Sequence, residues 1–344
     1  EMSDRTKLCL FALLLSLISQ HSLCFLFPGS KAIFTASPSR SMSLRISRRS
    51  RFGVFCQHSE PLSTDTLERV KEDIQVEGSG NLKTLACNKL QHENAGNSIE
   101  PHALDVITRD KHRLRVWYKS PESATVGSPP VCLLLHGRTW SSIPVWDLQV
   151  GEPPRDGSSL FGASTMDLLV SKGIAAYAVD LRGMGATSRD ISGWTTPAQS
   201  VEDVRDVIDF LAERGILRPV LIGWSQGALI AQIFAQKYPS KISSLVLYGS
   251  IYNPDLMNPS PEPLVGQEPP YVLNTMESAM EDWTVPGLID AEAARAFGTV
   301  ALCSDPRKVS WGRWEELLLA DPGAVRTPTL VVYGEKDGYT SPAL

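Results

Sequence analysis

The chain is poor in the residues that make metal centres and disulfide scaffolds. Its six cysteines are Cys9, Cys24, Cys56, Cys87, Cys132 and Cys303, and no two have Cys-x-x-Cys spacing. Neither a thiolate metal site nor a disulfide framework is expected, although a single bridge stays open. Net charge is small. The 33 basic and 38 acidic residues leave −5, which argues against nucleic acid as a partner. Histidine is scarce as well: His21, His58, His92, His102, His112 and His136 are all there are, and none follows His136. Finally, acid is missing from one stretch. Between Arg5 and Ser59 there is no Asp or Glu, against eight Lys or Arg.

That acid-free stretch reads as a targeting segment over residues 1–59. Leu8 to Phe27 is strongly apolar and follows Arg5 and Lys7, as in a secretory signal. Residues 30–59 are rich in Ser and Arg, with Phe34, Phe52 and Phe55 scattered through, as in a transit peptide. Together they suggest a two-part plastid address. The alternatives are secretion, or anchoring by residues 8–27, although Ser16, Ser19, Gln20, His21 and Ser22 interrupt that run. Residues 60–100 read as a linker, with a short helix over Thr64 to Val76.

A regular pattern begins at residue 101. Ala103 to Thr108 and Leu114 to Lys119 read as a hairpin. Val131 to Leu135, Ile174 to Val179, Val220 to Ile222, Leu245 to Tyr248 and Thr329 to Tyr333 are short apolar runs, as buried strands require. Helices are expected near Ser164 to Lys172, over Ala198 to Arg214 and over Ala228 to Tyr238. In the second of these Val201, Val204, Val207, Ile208 and Leu211 fall at helical spacing. Alternation of strand and helix implies an α/β architecture, with a mostly parallel central sheet and helices on both faces. The gap from Tyr248 to Pro328 is too long for a crossover. It reads as an inserted helical lid over about 251–322, with helix-like pieces at Val272 to Glu281, Asp290 to Phe297 and Trp311 to Leu319.

The chemistry concentrates at Gly223-Trp224-Ser225-Gln226-Gly227. A Gly-x-Ser-x-Gly stretch between a strand and a helix can hold its serine in a sharp turn. The turn displays the hydroxyl and aims a helix N-terminus at whatever that hydroxyl attacks. Serine is a weak nucleophile unaided, so a base must lie within hydrogen-bond reach.

Four motifs in this order resemble the α/β-hydrolase fold. They are Leu135-His136-Gly137-Arg138, Asp180-Leu181-Arg182-Gly183-Met184-Gly185, the Ser225 turn, and Tyr333-Gly334-Glu335-Lys336-Asp337, each after an expected strand. The resemblance covers about residues 101–344. It implies a serine hydrolase of the esterase or lipase kind, acting on an ester, thioester or amide. Ser225 is then the nucleophile, and the amides of Gln226 and Arg138 form the oxyanion hole. Asp337 is the acid that orients the base, and His136, Gly137, Gly223 and Gly227 shape the loops. Some relatives take the acid after the preceding strand, where Asp255 or Asn253 stands. Epoxide hydrolases and dehalogenases of this fold carry Asp at the turn instead of Ser. No metal or organic cofactor is implied.

The chain departs from the pattern at the base, for no histidine follows Asp337. The expectation is therefore a domain truncated at its C-terminus and inactive without the downstream histidine. The alternative is a non-catalytic, hydrolase-like small-molecule binding protein or receptor. Plainer roles compete at each position. Ser225 could be a loop serine, Asp337 a turn residue, His136 and Asp180 structural groups. Trp140, Trp146, Trp283, Trp311 and Trp314 could be lid and core packing. Between Ile251 and Pro322 twelve acidic residues face four basic ones, a balance of −8. That favours a small neutral or apolar carbonyl substrate over an anionic one. Neither nucleic acid nor a stable membrane partner is expected.

Overall fold

The computed structural model describes residues 31–35, 100–121, 129–150, 164–250, 268–281 and 291–333. The expected helix at Thr64 to Val76, the Asp337 motif and Asp255 lie outside them. So does the apolar run Leu8 to Phe27.

Among the described residues eight strands form one mixed sheet. In chain order they are β1 (Lys31–Thr35), β2 (His102–Ile107), β3 (Arg113–Lys119), β4 (Val131–Leu135), β5 (Ala175–Asp180), β6 (Val220–Trp224), β7 (Ser244–Tyr248) and β8 (Thr329–Tyr333). Their spatial order is β1-β8-β7-β6-β4-β5-β3-β2. The pairs β5–β4, β4–β6, β6–β7 and β7–β8 are parallel. The hairpin β2–β3 and the pair β3–β5 are antiparallel. β1 also runs antiparallel, against β8. It lies within the stretch read as a targeting segment, where no strand signal was recognised.

The sheet's two faces explain the apolar runs. Every residue of β4, β5 and β7 is buried. Successive side chains point to opposite faces. Leu133 and Leu135 therefore join Val179, Leu221 and Leu247 in one core cluster, while Cys132 and Leu134 join Ala178, Ile222, Val246 and Leu330 in another. Burying each large aliphatic side chain contributes about 1.5–3 kcal/mol. A run apolar at every position is thus the consequence of helices on both sides. Burial also pushes the free Cys132 thiol up to about 12, which leaves it inert.

Among the described residues the α-helices are α1 (Ser142–Trp146), α2 (Thr165–Ser171), α3 (Pro197–Ala212), α4 (Gln226–Lys237), α5 (Met276–Glu281) and α6 (Ala291–Ser304). α2 starts where the Ser164 hydroxyl accepts from the Asp167 amide at 2.9 Å. α3 starts with Thr196 accepting from the Gln199 amide and with Pro197 in its first turn. Such caps contribute roughly 1 kcal/mol each. α3 and α4 pack on the first cluster, and α1 and α2 on the second.

The lid differs from expectation in detail. The helix expected over Asp290 to Phe297 runs on to Ser304, and Trp314–Leu319 is a 3₁₀ helix. α1 carries no readable signal in the sequence, because five residues make too short a pattern. Cys303, near the end of α6, is disulfide-bonded, a bridge that spacing did not call for. Such pairing depends on tertiary proximity alone. Among the described residues no helix is long and apolar enough to cross a membrane.

Candidate active site

The strand order reverses at β4: the chain passes first to β5 on one side and then to β6 on the other. In open α/β sheets a crevice forms at the carboxyl ends of the strands flanking such a reversal. The loops following β4 and β6 meet there, and they carry His136-Gly137-Arg138 and Ser225.

Ser225 has φ 55° and ψ −122°. This left-handed conformation costs a residue with a Cβ about 1–3 kcal/mol. Its amide donates to the Tyr248 carbonyl at 2.9 Å, and its carbonyl accepts from the Ala228 amide at 3.0 Å. The turn is thus pinned to β7 on one side and to α4 on the other. The two glycines make it possible. A Cβ on Gly223 would lie 2.3 Å from the Gly227 carbonyl oxygen, and one on Gly227 would lie 2.3 Å from the His136 carbonyl oxygen. Ser225 itself is only part-buried.

Gln226 opens α4, so its backbone N–H lies in the first turn and has no intrahelical acceptor. Gly137 lies against the turn: a Cβ there would sit 3.0 Å from the Trp224 ring and 3.3 Å from Cβ of Ser225. The next residue, Arg138, is fixed from the lid. Its carbonyl accepts from Trp311 Nε1 at 2.8 Å. Its guanidinium lies 4.4 Å from the centroid of the Trp314 ring. The structure therefore brings Ser225, Gln226, Gly137 and Arg138 to one place.

His136 is fully buried and held at both ring nitrogens. Nδ1 donates to the Gly137 carbonyl at 2.9 Å, and Nε2 accepts from the Leu181 amide at 3.1 Å. That pattern assigns the neutral Nδ1–H tautomer. Burial lowers its pKa, with Asp180 opposing. With both nitrogens engaged, His136 shapes the loop, as the plainer reading had it.

Asp180 is likewise saturated. Oδ1 accepts from the Ser142 amide at 2.9 Å, and Oδ2 accepts from Trp117 Nε1 at 2.8 Å and the Ala186 amide at 3.0 Å. The following Arg182, 2% exposed, binds Asp203 through two nitrogens and also meets Asp110 and Asp190. The Asp-x-Arg-Gly-x-Gly motif thus locks the loop after β5 to α3.

Asp305, fully buried at the end of α6, accepts from the Ser141 amide at 2.8 Å and the Gly185 amide at 2.7 Å. Its desolvation, with Asp180 nearby, pushes its pKa up to about 7. An acid between a helix end and Pro306 carries no signal in sequence beyond that of an ordinary cap.

The family model described as serine aminopeptidase, S33, matches residues 157–344, more than half of the chain. "Epoxide hydrolase 3" of Siraitia grosvenorii is 36% identical over 125 residues, which is 36% of this chain and 33% of that protein. The pimeloyl-[acyl-carrier protein] methyl ester esterase of Chromobacterium violaceum is 32% identical over 123 residues, 36% of this chain and 38% of the esterase. The matched stretch thus spans about a third of the length of these curated relatives. Among solved structures, the thioesterase domain from the curacin biosynthetic pathway covers 72% of this chain and 87% of its own, at 18% identity and a TM-score of 0.47. The chain belongs to the serine aminopeptidase S33 family of α/β-hydrolases.

Proposed function

We propose that this protein is a serine hydrolase that cleaves an ester, thioester or amide bond through an acyl-enzyme on Ser225. The observation that carries the reading is the strained conformation of Ser225 at the head of α4, enforced by glycines in backbone contact on either side. Strain of this kind persists only where the surroundings over-determine it, and it clusters at reactive sites. The residue at this turn is Ser, whereas an Asp there would point to epoxide chemistry.

In this reading Ser225 Oγ attacks the carbonyl carbon of a small substrate. Its proton passes to a histidine base, which Asp337 holds in the working tautomer. The oxyanion rests on the amides of Gln226 and Arg138. Losing one such donor typically costs about 2.7–4 kcal/mol in the transition state. The leaving group takes the proton back, and water then releases the acyl group by the same steps.

A fluorophosphonate probe tests this on the full-length protein. Wild type should label at Ser225, and Ser225→Ala should not label. Unchanged labelling of the alanine variant would refute the nucleophile.

A further inference from the structure

The loop that follows Gly137 is held by the lid as well as by His136 and Asp180 at the strand ends. Trp140 is buried among Ala279 of α5 and Phe297 and Ala301 of α6, meeting Phe297 edge-on at 6.0 Å between ring centroids. Trp311 Nε1 donates to the carbonyl of Arg138. Asp305 accepts from the amide of Ser141, three residues on from Arg138. The segment Arg138–Ser141 is therefore clamped at both ends by groups that the lid contributes.

Asp305 is itself rigid. Its amide donates to the Ala301 carbonyl at 2.8 Å, and its carbonyl accepts from Asn274 Nδ2 at 2.7 Å. Its two carboxylate oxygens bridge two loops: Oδ2 takes Ser141 and Oδ1 takes Gly185. Asp180 does the same one residue further along each loop, through Ser142 and Ala186. Two buried carboxylates thus bind successive amides of the same two loops. Gly185, at φ +54°, leaves the room they need, since a Cβ there would lie 2.3 Å from Asp180 Oδ2.

A second buried carboxylate beside the first is a poor way to gain stability. Desolvation and like charge both oppose its ionised form, and that is the origin of the raised pKa of Asp305. What the pair supplies is placement. Each N–H is aimed at a fixed oxygen, so neighbouring peptide planes cannot rotate freely.

We propose that Asp305, together with Trp311, is a positioning residue: from the lid the two fix, through the Ser141 amide and the Arg138 carbonyl, the loop that follows the His136-held Gly137–Arg138 peptide, so that the Arg138 N–H meets the oxyanion formed at Ser225. This rests on the serine-hydrolase reading above. It makes the lid segment a working part of the oxyanion hole as well as a cover.

The test compares a trifluoromethyl ketone, which forms a tetrahedral adduct with a nucleophilic serine, with the matching methyl ketone, which binds as the planar carbonyl. Full-length wild type, Asp305→Asn and Trp311→Phe are measured. Asn keeps the size of Asp but offers one acceptor oxygen; Phe keeps an aromatic ring but loses the donor to Arg138. Both variants should lose kcat and trifluoromethyl ketone affinity together, by about 10- to 100-fold. KM and methyl ketone affinity should change less than about twofold, since neither reports on the oxyanion. Trp311→Phe carries the test if Asp305→Asn does not fold. Equal loss of both ketones, or a lower melting temperature with kcat unchanged, would reduce Asp305 to a structural brace and overturn the proposal. A wild type that forms no adduct would instead sink the serine-hydrolase reading, and this inference with it.

Discussion

The carbonyl oxygen of His136 lies 2.3 Å from where a Cβ would stand on Gly227. The carbonyl of Leu135 lies 2.8 Å from the same point. Both are backbone atoms at the end of β4, so neither can swing aside. This close approach lets α4 seat its first turn against the loop that carries Arg138. Gly227→Ala should therefore cost about 1–3 kcal/mol or more in stability. It should also depress fluorophosphonate labelling, because the turn must move away from the loop. Thermal melting and labelling rate, measured side by side on the full-length protein, check this. An alanine variant that melts and labels like wild type would mean that the contact is looser than described.

Ser225 offers an independent measure of strain. Replacing it with alanine removes the hydroxyl but keeps a Cβ at φ 55°. Glycine removes both. Relief of about 1–3 kcal/mol exceeds the roughly 0.5–1 kcal/mol that glycine loses through chain entropy. Ser225→Gly should accordingly melt above Ser225→Ala, by about 2–4 °C for each kcal/mol gained. Equal or reversed melting temperatures would show that the turn stores no strain.

His136 makes stability depend on pH in a definite direction. Burial holds its folded pKa below the usual 6.5, so between the two values the unfolded chain binds the extra proton. Its contribution is whole above about pH 6.5 and is lost as pH falls below that value. The raised pKa of Asp305 acts with the opposite sign, and comparison with His136→Gln cancels it because both proteins carry Asp305. Between pH 6.5 and 5 the unfolding free energy of wild type should fall more steeply than that of His136→Gln, by up to about 1.4 kcal/mol per pH unit. Parallel slopes from denaturant titrations would contradict a buried neutral imidazole.

Much of this arrangement was legible in the residues. The parallel core strands announce themselves because burial on both faces leaves no polar position, as at Val131–Leu135. The Ser225 turn shows because only glycine fits where backbones touch, and because it stands in order with three other strand-end motifs. α3 reads from the helical spacing of its valines, because burial on one face only leaves a periodic apolar stripe. The lid was less legible. Its pieces are short, and Trp314–Leu319 coils as a 3₁₀ helix whose pattern resembles an α-helical one over six residues.

By itself, then, the sequence determined the layered α/β plan, the order of the strand-end motifs and the identity of the residue at the turn. These follow from local steric rules and from the period of apolar side chains. Only the tertiary structure decided that His136 is locked by Gly137 and Leu181, that Asp180 is saturated with amide donors, and that Asp305 and Trp311 reach across from the lid to grip the loop of Arg138. Those contacts join residues up to 173 positions apart. A hydrogen bond at that separation leaves no periodicity in the chain, because it depends on where two loops are carried by the sheet between them.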